Sequence, residues 1–185
     1  MNKQFNIIIT IFLLIIIILH LFSNCDSKIN SRPVWPCPYN ESRFKHLYIK
    51  EENGKYTSQS LFDIYLFTHL SHGILLFYLL YYLNNYKKSS SMIYFALFFE
   101  ILWEIIENIP IIINKYRRVS NISRNYAGDS IINSIGDIIS MLIGFYIAWN
   151  FHQYGLIIFI FIEIILYYYI KDNLITNVYQ IFIKK

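Results

Sequence analysis

Five stretches of mainly apolar residues follow one another along the chain, and shorter polar segments separate them. A helix that crosses the lipid hydrocarbon needs about 20 mainly apolar residues, and each stretch comes close to that length. The pattern predicts an all-α integral membrane helical bundle of about five transmembrane helices. The predicted spans are about 6–22, 61–83, 92–113, 130–150 and 154–170. Because the longest remaining segment is the extramembrane loop 23–60, we expect residues 1–185 to form a single transmembrane domain.

The overall composition agrees with an environment of lipid. Hydrophobic residues make up 56% of the chain and charged residues 15%, which is too apolar for an ordinary soluble domain of this size. The formal net charge is +4, and the basic residues are spread over the loops, which argues against nucleic-acid binding. The predicted partner is the lipid bilayer, whose anionic headgroups would attract the basic loops. The oligomeric state is not determined by the sequence.

The charges around the predicted spans leave the orientation in the membrane undecided. With five spans, 13 of the 16 Lys and Arg residues lie on the face that holds the first loop, the third loop and the C-terminal tail. The positive-inside rule places that face in the cytoplasm, whereas Lys3 before the first span favours the opposite orientation. The apolar run 6–22 predicts a membrane anchor, and cleavage as a signal peptide is the alternative. Cys25 and Cys37 are either bonded to each other or free.

The third predicted span carries an acidic face. Glu100, Glu104 and Glu107, followed by Asn108, fall within an arc of about 100° when they are placed on a helix. Each carboxylate near the membrane centre costs about 2.5 to 3.5 kcal/mol, so this helix needs polar partners or protonation. We therefore expect neighbouring spans to present polar side chains to it.

The second and fourth predicted spans offer such partners. His69 and His72 lie three residues apart in the second span. Asp129, Asn133 and Asp137 recur every four residues at the start of the fourth, and so share one helix face. Counted from the loops at 1.5 Å per residue, these groups lie at similar depths. We predict that they meet, together with Glu163 of the fifth span, in one polar cavity that opens toward the basic third loop.

The two histidines predict either metal ligation or proton transfer, because imidazole binds transition metals and titrates near neutral pH. A pair of hydrogen bonds between helices is the plainer alternative. A carboxylate from the third span would complete a ligand set, so the candidate ligands of a divalent metal are His69, His72 and Glu104. Beyond this divalent metal, the sequence leaves the cofactor undetermined.

Buried carboxylates are also candidates for acid–base catalysis. Glu104, Glu107 and Asp137 are the candidate catalytic residues, one of which would act as a general base. The predicted substrate-binding residues are polar side chains near the cavity mouth: Asp63, Asn108, Arg117, Tyr126, Asp129, Asn133, Asp172 and Asn173. The alternative is structural, with the acidic face paired to a neighbouring helix or loop and Asp129 or Ser130 capping the fourth span.

Short polar motifs run in a fixed order along most of the chain. They are Ser58-Gln59, Asp63-x-Tyr65, His69-x-x-His72-Gly73, Trp103-Glu104-x-x-Glu107-Asn108, Tyr116-Arg117, Tyr126-x-Gly128-Asp129-Ser130-x-x-Asn133-Ser134-x-x-Asp137, and Asp172-Asn173-Leu174 nine residues after Glu163. The set resembles the signature of a family of small multi-pass inner-membrane proteins of unknown function, largely alpha-proteobacterial. Ile175-Thr176 departs from that signature, and only Cys37 fits its C-x-C motif. The resemblance implies a bacterial inner-membrane location and supplies no activity.

Three functions are compatible with this pattern. The leading hypothesis is a small membrane enzyme or ligand-binding protein that acts on a lipid headgroup or a lipid-linked substrate, with or without a divalent metal. The second is a transporter or a proton or cation relay, in which intramembrane carboxylates load and release the cation. The third is a structural or assembly protein whose polar cluster only fixes helix register. The sequence does not identify a substrate or a reaction.

Overall fold

The computed structural model describes residues 28–29, 32–33, 47–50, 52, 57–120 and 122–184. The predicted first span at 6–22, most of the loop 23–60 and both cysteines lie outside these residues. Within the described part the chain is mainly helical, which agrees with the all-α fold class predicted from the apolar runs.

Six α-helices form the described part of the chain: α1 Leu66–Leu83, α2 Ser91–Glu107, α3 Pro110–Val119, α4 Ile131–Asn150, α5 Gly155–Ile170 and α6 Leu174–Phe182. A short 3₁₀ helix, Ile122–Asn125, lies between α3 and α4. Side chains cap two of the helix starts. Ser130 accepts a hydrogen bond from the backbone of Asn133, and Asn173 accepts one from Thr176.

Two very short strand pairs accompany the helices. β1, Lys28–Ile29, pairs antiparallel with β2, Arg32–Pro33. β3, Tyr48–Ile49, runs parallel to β4, Phe62–Asp63, with Tyr48 opposite Phe62. The apolar pattern did not predict either pair. The second pair holds the segment just before α1 in an extended form, so the second predicted span begins its helix at Leu66 and not at 61.

Helices α1 and α4 make the most extensive contact between helices in the described part. Gly73 and Gly144 permit it, because a Cβ atom on either would overlap the backbone of the facing helix, at Met141 and at Leu70. The apolar core continues from this contact along the far halves of three helices: Ile74, Phe77, Leu80, Met92, Ala96, Leu97, Met141 and Phe145. The halves nearer β4 are left for polar residues.

The third predicted span, 92–113, is divided in two. Helix α2 ends at Glu107, and α3 begins at Pro110 after Ile109, whose backbone is extended with φ −75° and ψ 146°. A residue before proline is pushed out of the helical region, and proline lacks the N–H that a continuing helix would need. The acidic face is therefore confined to the 17 residues of α2, and α3 takes a new direction.

Two of the described helices, α1 and α4, are long and apolar enough to cross a membrane. Helix α5 is a shorter apolar helix of 16 residues. Large apolar side chains on the outside of α2 and α5 are exposed, among them Phe95, Phe98, Leu102, Ile157, Phe161 and Ile164. The predicted bundle of about five spans thus remains a prediction, with two candidate spans in the described part.

Candidate functional site

A polar cleft opens beside the start of α1 and encloses about 730 Å³, including its open mouth. Eight of the residues predicted from the sequence line it: Asp63, His69, His72, Glu107, Tyr126, Asp129, Asn133 and Asp137. Among the described residues that line the cleft there is no lysine or arginine, and the imidazoles of His69 and His72 are the basic groups beside its acidic side chains. A cleft with this charge attracts cations and disfavours anions.

Five side chains form a cluster at the inner end of the cleft, which we call the acid–imidazole cluster: His69, His72, Glu100, Glu104 and Asp137. Four of them are buried, and His72 is half-buried. Glu100 contacts both imidazoles, since its Oε1 lies 2.6 Å from His69 Nδ1 and its Oε2 lies 3.2 Å from His72 Nδ1. One carboxylate thus holds the two histidines in place.

Glu104 and Asp137 approach His69 from two other helices. Glu104 Oε1 lies 3.5 Å from His69 Nδ1, and Asp137 Oδ2 lies 3.9 Å from His69 Nε2. Both carboxylate oxygens of Glu104 and Oδ1 of Asp137 are buried and accept no hydrogen bond from the described residues. Buried polar atoms are normally paired, so these oxygens are available for a proton or a ligand.

The helix geometry explains why these side chains converge. The two histidines are three residues apart on α1 and the two glutamates are four apart on α2, so each pair shares one helix face. Asp137 follows Gly136, where a Cβ atom would overlap the backbone of Leu61, so α4 lies against the segment before α1. The Trp103 ring packs edge-to-face on the His72 ring, with 5.2 Å between the centroids. The two imidazole rings are therefore held by Glu100, and the ring of His72 also by Trp103.

Two of the predicted substrate-binding residues hydrogen-bond to the backbone of the segment before α1. Asp63 accepts from the backbone N–H groups of Ser58 and Tyr65, each at 2.8 Å. Asn133 donates from its side-chain amide to the carbonyl of Ser60 at 3.0 Å. These bonds shape the wall of the cleft, and contact of either side chain with a substrate stays a prediction.

Asp129 lies at the point where α2 meets the start of α4. Its backbone N–H donates to Asn108 Oδ1 at 2.6 Å, and Asn108 in turn donates to the carbonyl of Glu104 at 2.8 Å. The Tyr126 hydroxyl donates to Asp129 Oδ2 at 2.5 Å. Burial raises the pKa of the Asp129 carboxyl above its ordinary value, against the lowering effect of this hydroxyl. Burial also raises the pKa of Tyr126 well above its ordinary value.

The polar residues after α5 form a separate group. Asn173 caps α6 and donates from its side-chain amide to the carbonyl of Glu163 at 3.1 Å. Asp172 accepts from the backbone of Asn173 at 3.0 Å and from the side-chain amide of Asn177 at 3.1 Å. Burial raises the pKa of Asp172 to about 7. Asn177 lines the cleft, whereas Asp172 and Asn173 lie behind it.

Three further predicted residues are absent from the cleft lining. Glu104 and Asn108 are buried behind it. Arg117 lies outside it and donates from Nε to the carbonyl of Arg124 at 3.2 Å. The structure thus gathers the candidate metal ligands and two of the candidate catalytic carboxylates around His69, with Glu107 farther along the cleft wall.

Aromatic residues of the cleft lining were missed by reasoning from the sequence. Tyr65, Trp103 and Tyr116 all line the cleft. Trp103 directly precedes Glu104, and Tyr65 follows Asp63 by two positions, so their closeness to the acidic motifs was a usable signal. Tyr116 directly precedes Arg117 in the motif set, which was a similar signal, but its position in the cleft depends on the break between α2 and α3.

The comparisons with known proteins place the chain among uncharacterised bacterial proteins. A family model described as a protein of unknown function (DUF2585) matches residues 32–183. A UPF0314 protein of Agrobacterium fabrum is 36% identical over 142 residues, which are 76% of this chain and 71% of the relative. Another UPF0314 protein, from Rhizobium meliloti, is 39% identical over 122 residues, 65% of this chain and 61% of the relative. No solved structure matches the chain.

Proposed function

This chain belongs to the DUF2585 family of proteins of unknown function, and we propose that it is a multi-pass protein of the bacterial inner membrane whose cleft binds the headgroup of a lipid or of a lipid-linked substrate. In this proposal the carboxylates Glu104, Glu107 and Asp137 carry acid–base chemistry on the bound group. The polar residues around the cleft mouth orient it.

The placement in a membrane is supported by the outer surface of the helices. Phe95, Phe98 and Leu102 are exposed along α2, and apolar residues of α5 are exposed along most of its length. Exposed apolar surface of this extent is unfavourable in contact with water and favourable in contact with lipid chains. The apolar helices α1 and α4, each long enough to cross a bilayer, agree with this placement.

The single observation that carries the proposal is the cleft with unpaired buried carboxylate oxygens at its inner end. Asp63 and Asn133 use their polar atoms to bind backbone, and so serve the fold. The oxygens of Glu104 and Oδ1 of Asp137 make no such bond. Leaving a buried acceptor unpaired costs about 1–3 kcal/mol, and a cost that the fold does not require is typical of a functional site.

The test is conversion or retention of lipid by the purified full-length protein. The protein is reconstituted in vesicles of phosphatidylethanolamine, phosphatidylglycerol and cardiolipin, and lipids are followed by mass spectrometry. We expect the wild type to retain or alter one headgroup class and Asp137→Asn to lose that behaviour. The matched control is His152→Ala, since His152 is exposed at the other end of α4. Equal results for wild type and Asp137→Asn would reject the proposal.

A second candidate function, a proton or cation relay, is favoured by the spacing of titratable groups. From His72 through Glu100 and His69 to Asp137 the successive contacts are 3.2, 2.6 and 3.9 Å. A relay needs access from both membrane faces, and the far halves of α1, α2 and α4 are apolar. Proton uptake by proteoliposomes containing a pH-sensitive dye separates the two candidates, because a headgroup-binding protein produces no flux.

A further inference from the structure

The environment of His69 contains hydrogen-bond acceptors without matching donors. His69 Nδ1 lies 2.6 Å from Glu100 Oε1, a distance that places the imidazole proton on Nδ1. Nε2 of the neutral ring then carries a lone pair, and it faces Asp137 Oδ2 at 3.9 Å. Two lone pairs facing each other across this gap repel unless a cation or a proton lies between them.

Glu104 adds two more acceptors beside the same imidazole ring, with its Oε1 3.5 Å from His69 Nδ1. Glu104 is 4% exposed to solvent, and neither of its carboxylate oxygens accepts a hydrogen bond from the described residues. One ligand atom each from His69, Glu104 and Asp137 lies within 4.8 Å of the other two. Two ligand atoms about 2.1 Å from one zinc ion are about 3.4 Å apart in tetrahedral geometry. Each pair of these atoms would therefore approach by at most about 1.4 Å when an ion binds, a movement shared between two side chains.

The surroundings of these three residues have the features of a metal centre. Glu100 bridges both histidines from behind, as a carboxylate does when it orients a metal-bound imidazole. His69 and Asp137 line the cleft, so a bound ion would keep an open coordination position toward it. Imidazole and carboxylate ligands together suit Zn²⁺, Mn²⁺ and Fe²⁺.

From these observations we infer that His69, Glu104 and Asp137 bind one divalent transition metal at the inner end of the cleft, with Glu100 as the orienting carboxylate. The inference deepens the proposed function and rests on its cleft: a lining of acidic side chains without lysine or arginine repels a phosphate, and a metal ion would attract one. It narrows the substrate class to phosphate-bearing headgroups. His72 was predicted as a ligand from the sequence. In this inference it contacts Glu100 and positions that carboxylate, and it does not bind the metal.

The test is direct binding of Zn²⁺ alone to the full-length protein in detergent. The protein is stripped with a chelator, dialysed, and titrated with Zn²⁺ against a competing dye. We expect about one ion per chain, with Glu104→Gln raising the Kd by at least about 100-fold. The control is Glu163→Gln, a buried intramembrane carboxylate that binds the backbone of Ile175 and should leave the Kd unchanged. Wild-type binding no tighter than that of Glu104→Gln would overturn the inference.

Two further readouts keep the test independent of folding and of the proposed function. Co²⁺ added to the stripped wild type should give visible ligand-field bands that Zn²⁺ abolishes, and their absence would overturn the inference without any variant. Cys25 and Cys37 are retained in every variant, so an ion held by thiols would persist in Glu104→Gln and count against the site. The Zn²⁺ titration contains no lipid and is independent of the vesicle experiment. Binding of Zn²⁺ here, together with neither retention nor conversion of lipid there, would reject the proposed function and keep the metal site.

Discussion

Glu100 differs from its neighbour Glu104 in what its oxygens contact, although both are buried on one face of α2. Both oxygens of Glu100 lie against imidazole nitrogens, whereas those of Glu104 accept no hydrogen bond. Glu100→Gln should therefore raise the Kd for Zn²⁺ by about 10- to 100-fold, the usual effect of losing an orienting carboxylate. The Co²⁺ bands should keep their shape, since the ligands remain. A loss as large as that of Glu104→Gln would show that Glu100 is itself a ligand.

Asn108 directly follows α2, and its side chain joins two backbone segments. Asn108→Ala would leave the backbone N–H of Asp129 without a partner, whereas the carbonyl of Glu104 would keep its bond from the backbone N–H of residue 108. Unpaired buried groups of this kind cost about 1–3 kcal/mol, so we expect that loss in the free energy of unfolding. Denaturant titration in detergent measures it, with Asn150→Ala as control because Asn150 is exposed and bonds within its own helix. Equal stability of the two variants would contradict this role.

Asp172 connects α5 to α6 and should make stability depend on pH. Burial raises the pKa of Asp172 to about 7, while an unfolded aspartate has a pKa of about 3.9. Between these values the folded chain holds the proton and the unfolded chain does not, so the free energy of unfolding falls as pH rises from about 4 to about 7. Asp172→Asn removes this proton and should flatten the dependence, measured by thermal unfolding across that pH range. An unchanged slope would refute the assignment.

The acid–imidazole cluster depends on the close packing of helix α1 against helix α4. A Cβ atom at Gly144 would overlap the backbone carbonyl of Leu70, which directly follows His69. Gly144→Ala should therefore force the helices apart, lower stability by about 1–3 kcal/mol and weaken Zn²⁺ binding. Denaturant titration and the Zn²⁺ titration check both effects. Ile143→Ala, at an exposed site on the same helix, is the control and should change neither.

The elements that could be predicted are those fixed by local patterns. The convergence of His69, Glu100 and Asp137 follows from helix periodicity and from counting depth along apolar runs, because both are local properties of the chain. The role of Asn108 in binding backbone depends on where the start of α4 arrives. Pro110 indicated a break at Ile109. The apolar residues that follow Pro110 nevertheless led to the prediction of one continuous span over 92–113. The sequence therefore did not reveal the contacts of residues at helix ends and in loops, which depend on how the chain turns between the helices.

In the described part of the chain, the buried interior between the helices is polar at one end and apolar at the other. Helices α1 and α4 both start at the cleft, since Leu70 of α1 lies against Gly144 of α4 while Leu61 lies against Gly136, so the two run in parallel. Helix α2 returns antiparallel to them, with Glu104 near the cleft and Met92 in the apolar core. The cleft thus opens to one side only in the described part of the chain. A lipid headgroup entering from the membrane surface would meet the cluster without crossing the apolar half.

This asymmetry predicts which loops share a side of the membrane. Lys87, after α1, and Arg118, near the end of α3, are exposed and should lie on opposite faces. Each is changed to cysteine in a chain whose two native cysteines are serine, and intact cells and inverted vesicles are treated with an impermeant maleimide. We expect one position to be labelled only in cells and the other only in vesicles, which also decides the orientation. Labelling of both from the same side would refute a bundle that crosses the membrane through α2, the helix between the two positions, because both ends of α2 would then face one compartment.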